Sequence, residues 1–224
     1  MSAKNVDEDL GELSIKEKIY IKVNPEEKSQ NKTTDIYTIR RSLIQWFRRG
    51  GASYEIYHDK FNKQIENVEK NVRLYIDSFV KGYKNIGYIA IYWPLKNEVD
   101  IRSLKKKFTL ALPRCKDKKE LLFYPWDEKP LTKDSEGILS PNNSSPLSHL
   151  QISMIFVPCL SVDKNLTRLG YGGGYFDKLR RDNDWRNVPC IGVLTSNCVS
   201  KVPLTRADWD IPLSGFITEK EIFV

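Results

Sequence analysis

At 224 residues, with 40% hydrophobic and 29% charged content, the chain has the make-up of a globular protein that can bury one sizeable core, and it suits one domain better than two. Its formal charge of +7 is spread along the sequence rather than gathered in a block, which fits an anionic small molecule or a nucleic acid and equally a lysine-rich solvated surface. The acidic opening MSAKNVDEDLGELS has no apolar core of the kind a secretory signal needs.

Residues up to about Asp35 are rich in Lys, Glu, Asp and Asn and read as a mobile extension, with IKEKIYIKV able to add an edge strand. IYTIRRSLIQWFRRGG, from Ile36, reads as a helix stopped by Gly50 and Gly51. Phe61, Ile65, Val68, Val72, Ile76 and Phe79 recur at steps of three and four, which predicts a second, longer amphipathic helix closed by Gly82. The period then changes. IGYIAIYW (Ile86–Trp93) reads as a buried strand ending at Pro94, VDIRSLKKKF as a short helix, FTLALP as a second strand and LLFYPW (Leu121–Trp126) as a third. Asp127–Gln151, rich in Pro, Ser, Asn and Lys, is expected to be a long surface loop.

SMIFVPCL is the next buried strand. The apolar run it belongs to, MIFVPCLSV, is too short to span a bilayer and contains Pro158. A glycine stretch and a short helix, YFDKLRRD, follow; PCIGVLT is another strand, and SGFITEKEIF supplies a last one. Alternation of this kind predicts an α/β fold, a single-domain Rossmann-like three-layer sandwich with a mainly parallel sheet and helices on both faces. Cys115, Cys159, Cys190 and Cys198 lie far apart with no C-x-x-C, so reduced thiols in a cytoplasmic protein are expected rather than a disulfide framework or a zinc site. With His58 and His149 the only histidines, a Ser-His or Cys-His nucleophile pair is poorly supplied.

RLGYGGGYFDKL (Arg168–Leu179) carries the chemistry. It sits after a strand and opens a helix, where open α/β sheets bind ligands. Glycines let the backbone approach a ligand closely, helix-start N–H groups suit an anion, and Arg168 can fork onto a phosphate. The stretch is neither a P-loop nor a G-x-G-x-x-G fingerprint, whose last position here is Tyr175. A glycine-rich turn that only packs the helix against the sheet is the structural alternative. Asp177 either complements the helix dipole or, beside a polyphosphate, shares a magnesium ion with it. RADWDIP offers a second carboxylate, Asp208 or Asp210.

FVPCLSVD, RLGYGGGYFDKL, IGVL and an Asp-containing turn before FITE together resemble the 5-formyltetrahydrofolate cyclo-ligase (methenyltetrahydrofolate synthetase) family. Its members carry a strand ending in Val-Pro-Gly, then Phe-Asp, then Arg-Leu-Gly-x-Gly-x-Gly-Tyr-Tyr-Asp. The likeness extends back through LPR (Leu112–Arg114) and YWPLKNEVD to RRSL near Arg40. It divides the chain into an extension, residues 1–38, and an α/β domain, residues 39–224. What the resemblance implies is an ATP- and Mg2+-dependent cyclisation of 5-formyltetrahydrofolate to 5,10-methenyltetrahydrofolate through a phosphorylated formyl group.

Carried over residue by residue, Arg168, Leu169, Gly170, Tyr171, Gly172, Gly173, Gly174 and Tyr175 would line the triphosphate, the last five of them also the folate, with Arg168 and Tyr175 at the transferring phosphoryl group. Asp177 and Asp208 would hold Mg2+, Arg40 would reach ATP, and Glu98 and Trp93 would contact the pterin. Glu98 could instead be a helix-start acid, Trp93 a core aromatic and Arg40 a solvated residue. The chain departs from the family at Ile44, where a second basic residue is usual, at Ser140-Pro141 in place of Glu-Pro, at Asn197 in place of Gln and at Ala207. Those departures leave open a relative that binds folate or nucleotide without turnover. A nucleic-acid partner rests on charge alone, since no RNP-like or KH-type motif supports it. A monomer with small-molecule partners, no nucleic acid and no membrane, is the expectation.

Overall fold

The computed structural model describes residues 58–224 apart from positions 84, 96–97, 118–119, 143, 202, 205 and 207–209. The extension, the expected helix from Ile36, Arg40, Ile44, Ala207 and Asp208 lie outside the described residues.

The long amphipathic helix forms as the periodicity predicts: α1 spans His58–Val80. Val68, Val72 and Ile76 on its stripe are fully buried. Each such side chain contributes about 1.5–3 kcal/mol of burial, which explains why a helix with a strongly charged outer face stays in place. Gly82 follows, its N–H donating to the Phe79 carbonyl (3.1 Å).

Among the described residues, seven strands form one sheet: β1 (Tyr88–Ala90), β2 (Leu110–Lys116), β3 (Glu120–Pro125), β6 (Ile152–Pro158), β9 (Cys190–Val193), β10 (Gly215–Ile217) and β11 (Ile222–Phe223). Two smaller hairpins pair β4 (Thr132–Lys133) with β5 (Leu139–Ser140) and β7 (Ser161–Val162) with β8 (Arg168–Leu169). The sheet order is β11-β10-β9-β6-β1-β2-β3. The five inner strands are parallel, and β3 and β11 add antiparallel edges. One face carries α1 with Ile89, Ile91, Leu110, Leu112, Met154 and Phe156. The other carries Ile155, Val157, Cys190 and Phe216 under α2 (Tyr175–Arg181) and α3 (Asn183–Arg186). This is the three-layer α/β sandwich that the alternation of elements predicts.

Four details differ from the sequence reading. The strand expected over Ile86–Trp93 is only three residues long, with a register shift against β6 between Tyr88 and Ile89. VDIRSLKKKF forms a 3-10 turn, Arg102–Lys106, opened by Asp100 accepting the Arg102 N–H (2.9 Å). The surface loop Asp127–Gln151 contains the β4–β5 hairpin and a 3-10 turn at His149–Gln151, because Asp134 supplies side-chain acceptors that fold it back. SGFITEKEIF is two strands, since the Thr218 hydroxyl accepts from the Lys220 and Glu221 N–H groups (both 3.1 Å) and reverses the chain.

From β1 the chain turns to β2 on one side; from β6 it turns to β9 on the other. The carboxyl ends of β1 and β6 therefore flank the topological switch point, where a ligand crevice is expected.

Candidate active site

On the β1 side, the segment after the strand is braced from within. The Tyr92 hydroxyl, buried, donates to the Val99 carbonyl (2.6 Å), and Glu98 Oε2 accepts the Leu95 N–H (2.8 Å). This curls the loop so that Glu98 faces the switch point. Burial pushes the Glu98 carboxyl up to about 7, opposed by the Leu95 N–H, the Arg168 charge and the Tyr171 hydroxyl. Burial likewise holds the Tyr92 phenol well above its ordinary range, with Glu98 adding to the effect.

On the β6 side, the β7–β8 hairpin returns the chain beside the strand it has just left. Its turn contains Leu166 at φ 63, and Asp163 Oδ1 accepts the Thr167 N–H (2.8 Å). Leu160 N–H donates to the Leu169 carbonyl (2.9 Å). Arg168 thus emerges directly over the end of β6: its Nε donates to the Pro158 carbonyl (3.0 Å) and its Nη1 reaches Asp177 Oδ1 (3.3 Å). The Arg168 side chain is only 9% exposed, while that of Asp177 is 41% exposed.

Glycine has a specific task at each step of the turn. A Cβ on Gly170 would lie 2.7–2.9 Å from the Arg168 guanidinium, so the missing side chain is the space that charge occupies. Gly172 and Gly174 adopt φ 88 and 71, which L side chains resist. Gly174 is also the N-cap of α2 and, as a glycine, offers no side-chain acceptor to the first-turn N–H groups. A Cβ on Gly173 would sit 3.0 Å from the Tyr175 ring, so that ring lies back across the turn. The Tyr175 hydroxyl donates to Glu136 Oε1 (2.5 Å), and this bond is the main reason its phenol is pushed up to about 12. Leu169 is buried, so only its backbone is available to a ligand.

The structure brings Glu98, Arg168, Tyr171 and Asp177 together across the switch point. Trp93 is half-buried and packs against the α1-side core, edge-on to Trp126 (6.1 Å) and under the Arg102 guanidinium (4.3 Å). Asp210 is half-buried, and Asn197 is exposed. Ser140, standing where the family has Glu, is fully buried and accepts from Arg114 Nη1 (2.9 Å).

Several supporting residues have roles that sequence reading missed. Glu136 carries no local signal. Asp163 lies in FVPCLSVD, but its part in the site was not read from that run: 1% exposed, it also accepts the Leu204 N–H on Oδ2 (2.6 Å). Arg180, 6% exposed, donates from its two Nη atoms to the carbonyls of Ile211 (2.7 Å) and Pro212 (2.8 Å), and its Nε has no partner among the described residues.

Among the described residues no group of three or more His, Cys, Asp or Glu side chains forms a metal cage. The donor set instead suits a magnesium ion shared with a phosphate: one half-exposed carboxylate, Asp177, beside a buried guanidinium. No described helix is long and apolar enough to cross a membrane.

Residues 78–219 match the family model described as the 5-formyltetrahydrofolate cyclo-ligase family. A curated relative from Haemophilus influenzae, named 5-formyltetrahydrofolate cyclo-ligase, is 29% identical over 193 residues, covering 84% of this chain and 95% of its own. The solution structure of Aquifex aeolicus 5,10-methenyltetrahydrofolate synthetase superposes with a TM-score of 0.64 at 26% identity, over 85% of this chain and 92% of that one. The 5,10-methenyltetrahydrofolate synthetase of Mycoplasma pneumoniae, at 22% identity and a TM-score of 0.57 over 83% and 99% of the two chains, shares the fold. With the matched segment running from the end of α1 to just past β10, the whole crevice lies inside it, and the chain belongs to the 5-formyltetrahydrofolate cyclo-ligase family.

Proposed function

We propose that this enzyme closes 5-formyltetrahydrofolate to 5,10-methenyltetrahydrofolate with ATP and Mg2+, releasing ADP and phosphate. The observation that carries the reading is the Arg168 guanidinium, buried at the switch point between a glycine turn and Glu98. In this reading the folate formyl oxygen attacks the terminal phosphate of ATP and expels ADP; the neighbouring folate amine then bonds to the former formyl carbon of the imidate phosphate, and inorganic phosphate leaves with the formyl oxygen. Such a reaction needs positioning and charge stabilisation more than a strong base, which suits a site without histidine.

Arg168 and the backbone of Gly170–Gly174 line the polyphosphate, and Tyr175 supplies a neutral hydroxyl beside it. Glu98, titrating near 7, reads the amino and ring N–H edge of the pterin, accepting from both when ionised. Tyr171 joins the two halves by bonding Glu98 from within the glycine turn. Asp177 would hold Mg2+ with Asp208, and the ion would offset phosphate charge; Arg40 would add a further cation toward ATP. Trp93 would act through the wall it builds with Trp126 and Arg102. We read the protein as a cytoplasmic monomer acting on a small molecule, with neither nucleic acid nor membrane as partner.

Mixing protein, 5-formyltetrahydrofolate, ATP and Mg2+ and following the methenyltetrahydrofolate absorbance tests the reading, with Asp177→Ala alongside. Absorbance that needs every component and collapses in the variant is expected. A flat trace from folded wild type overturns turnover and leaves a protein that binds folate or nucleotide only.

A further inference from the structure

The β4–β5 hairpin is tied to the sheet far more firmly than a surface loop requires. Asp134 Oδ2 accepts the Cys115 N–H (2.9 Å), and the Ser135 hydroxyl donates to the Cys115 carbonyl (3.0 Å). Asp134 Oδ1 collects the Glu136 and Ile138 N–H groups (both 2.9 Å), with Gly137 at φ 78 closing the turn. Arg114, projecting from β2, spends its guanidinium on Thr132, Ser140, Pro141 and Lys133 of the same hairpin. The product of all this is a tip at fixed height whose Glu136 meets the Tyr175 hydroxyl at 2.5 Å, 39 residues away in sequence. Ser135 bonds the same phenol.

A carboxylate at this place is wrong for a ligand-bearing polyphosphate wall and right for a wall without one. The ring it holds is the one that Gly173 lets lie back across the turn. We infer that Glu136 is a positioning residue: it keeps Tyr175 turned onto the hairpin until a nucleotide arrives, and nucleotide binding exchanges the Glu136 contact for phosphate. This rests on the reading of the glycine turn as the nucleotide wall. It makes the hairpin a determinant of nucleotide affinity although no hairpin residue needs to touch the reacting atoms.

The test measures the affinity of a non-hydrolysable ATP analogue with Mg2+ in Glu136→Asp and Glu136→Gln. Aspartate keeps the charge and draws the carboxylate back by one carbon; glutamine removes the charge and keeps an acceptor in reach. Held contact predicts that Glu136→Asp binds about five-fold tighter, the worth of one exposed hydrogen bond, and Glu136→Gln by less. In a Tyr175→Phe background the Glu136→Asp gain disappears. The reverse ranking, with glutamine tighter and aspartate unchanged, or no change in either, overturns the inference. Amide exchange at Gly137 and Ile138 gives a readout independent of any ligand: Tyr175→Phe speeds it if the grip exists, and an unchanged rate sinks it. Wild type that shows this grip but binds no nucleotide would overturn the exchange step and the nucleotide wall together, while leaving the hairpin contact standing.

Discussion

The glycine turn, Gly170–Gly174, and the hairpin segment, Asp127–Gln151, are both irregular surface chain near the same crevice, and they are built by opposite means. In the turn the backbone itself is specialised: positive φ at Gly172 and Gly174, and a missing side chain at Gly170 where Arg168 lies. In the hairpin Gly137 has the one positive φ among the described residues, and shape comes from side chains reaching distant partners, Arg114 to Ser140 and Asp134 to Cys115. The turn is therefore intolerant of added atoms, whereas the hairpin is intolerant of lost ones. A site can be made from both, with the first facing the ligand and the second holding the first.

The largest effect should follow from removing the charge the turn houses. Arg168→Met is expected to lower ring-closing activity at least about 100-fold with the fold intact, the scale of losing a preorganised charge at a phosphoryl group. Arg114→Met, its counterpart in the hairpin, should leave kcat within about ten-fold. If both variants lose activity equally, the division of labour between the two regions fails.

Across the crevice, Glu98 extends the comparison to stability. Its folded-state pKa of about 7 stands above the ordinary 4.5, so between those values the folded protein holds a proton that the unfolded chain has lost. Stability conferred by this group falls as pH rises through that window, by on the order of 3 kcal/mol in all, and is constant above it. Urea melts of wild type and Glu98→Gln between pH 4.5 and 8 should diverge by this amount at the alkaline end. Parallel curves would remove the argument that Glu98 is held in a desolvated crevice.

Arg114→Met should cost about 1–3 kcal/mol of stability by denaturant midpoint, since the buried Ser140 hydroxyl loses its strongest donor. The smallest effect is Gly174→Ala, about 1–2 kcal/mol from strain at φ 71, because nothing lies within 4 Å of the added carbon. A clash-sized loss there would mean the turn is packed rather than merely bent.

The same contrast explains what could be read from the sequence. α1 was legible because Val68, Val72 and Ile76 report one face by local spacing, and the strands because apolar runs end at Pro or Gly. Arg168, the glycines and Asp177 are near neighbours in sequence as well as in space, so their conjunction was visible. Glu136 was not, since its meaning lies in Tyr175, and Asp163 gains its second role from Leu204, 41 residues on. The β7–β8 and β4–β5 hairpins have two-residue strands with too few positions to set a period. Trp93 shows what likeness leaves out: the resemblance points it to the pterin, and only the structure shows the Trp126 and Arg102 packing that holds it.

The pair of buried charges at Asp163 and Arg180 has a mechanical consequence. Asp163 pins Leu204, and Arg180 pins Ile211 and Pro212, so both ends of that stretch are fastened to the hairpin and helix that carry Arg168 and Asp177. A protease cut between Leu204 and Ile211 would open the chain without freeing either end. The two fragments should co-elute under native conditions and separate only in denaturant, behaving as one body with a severed covalent thread.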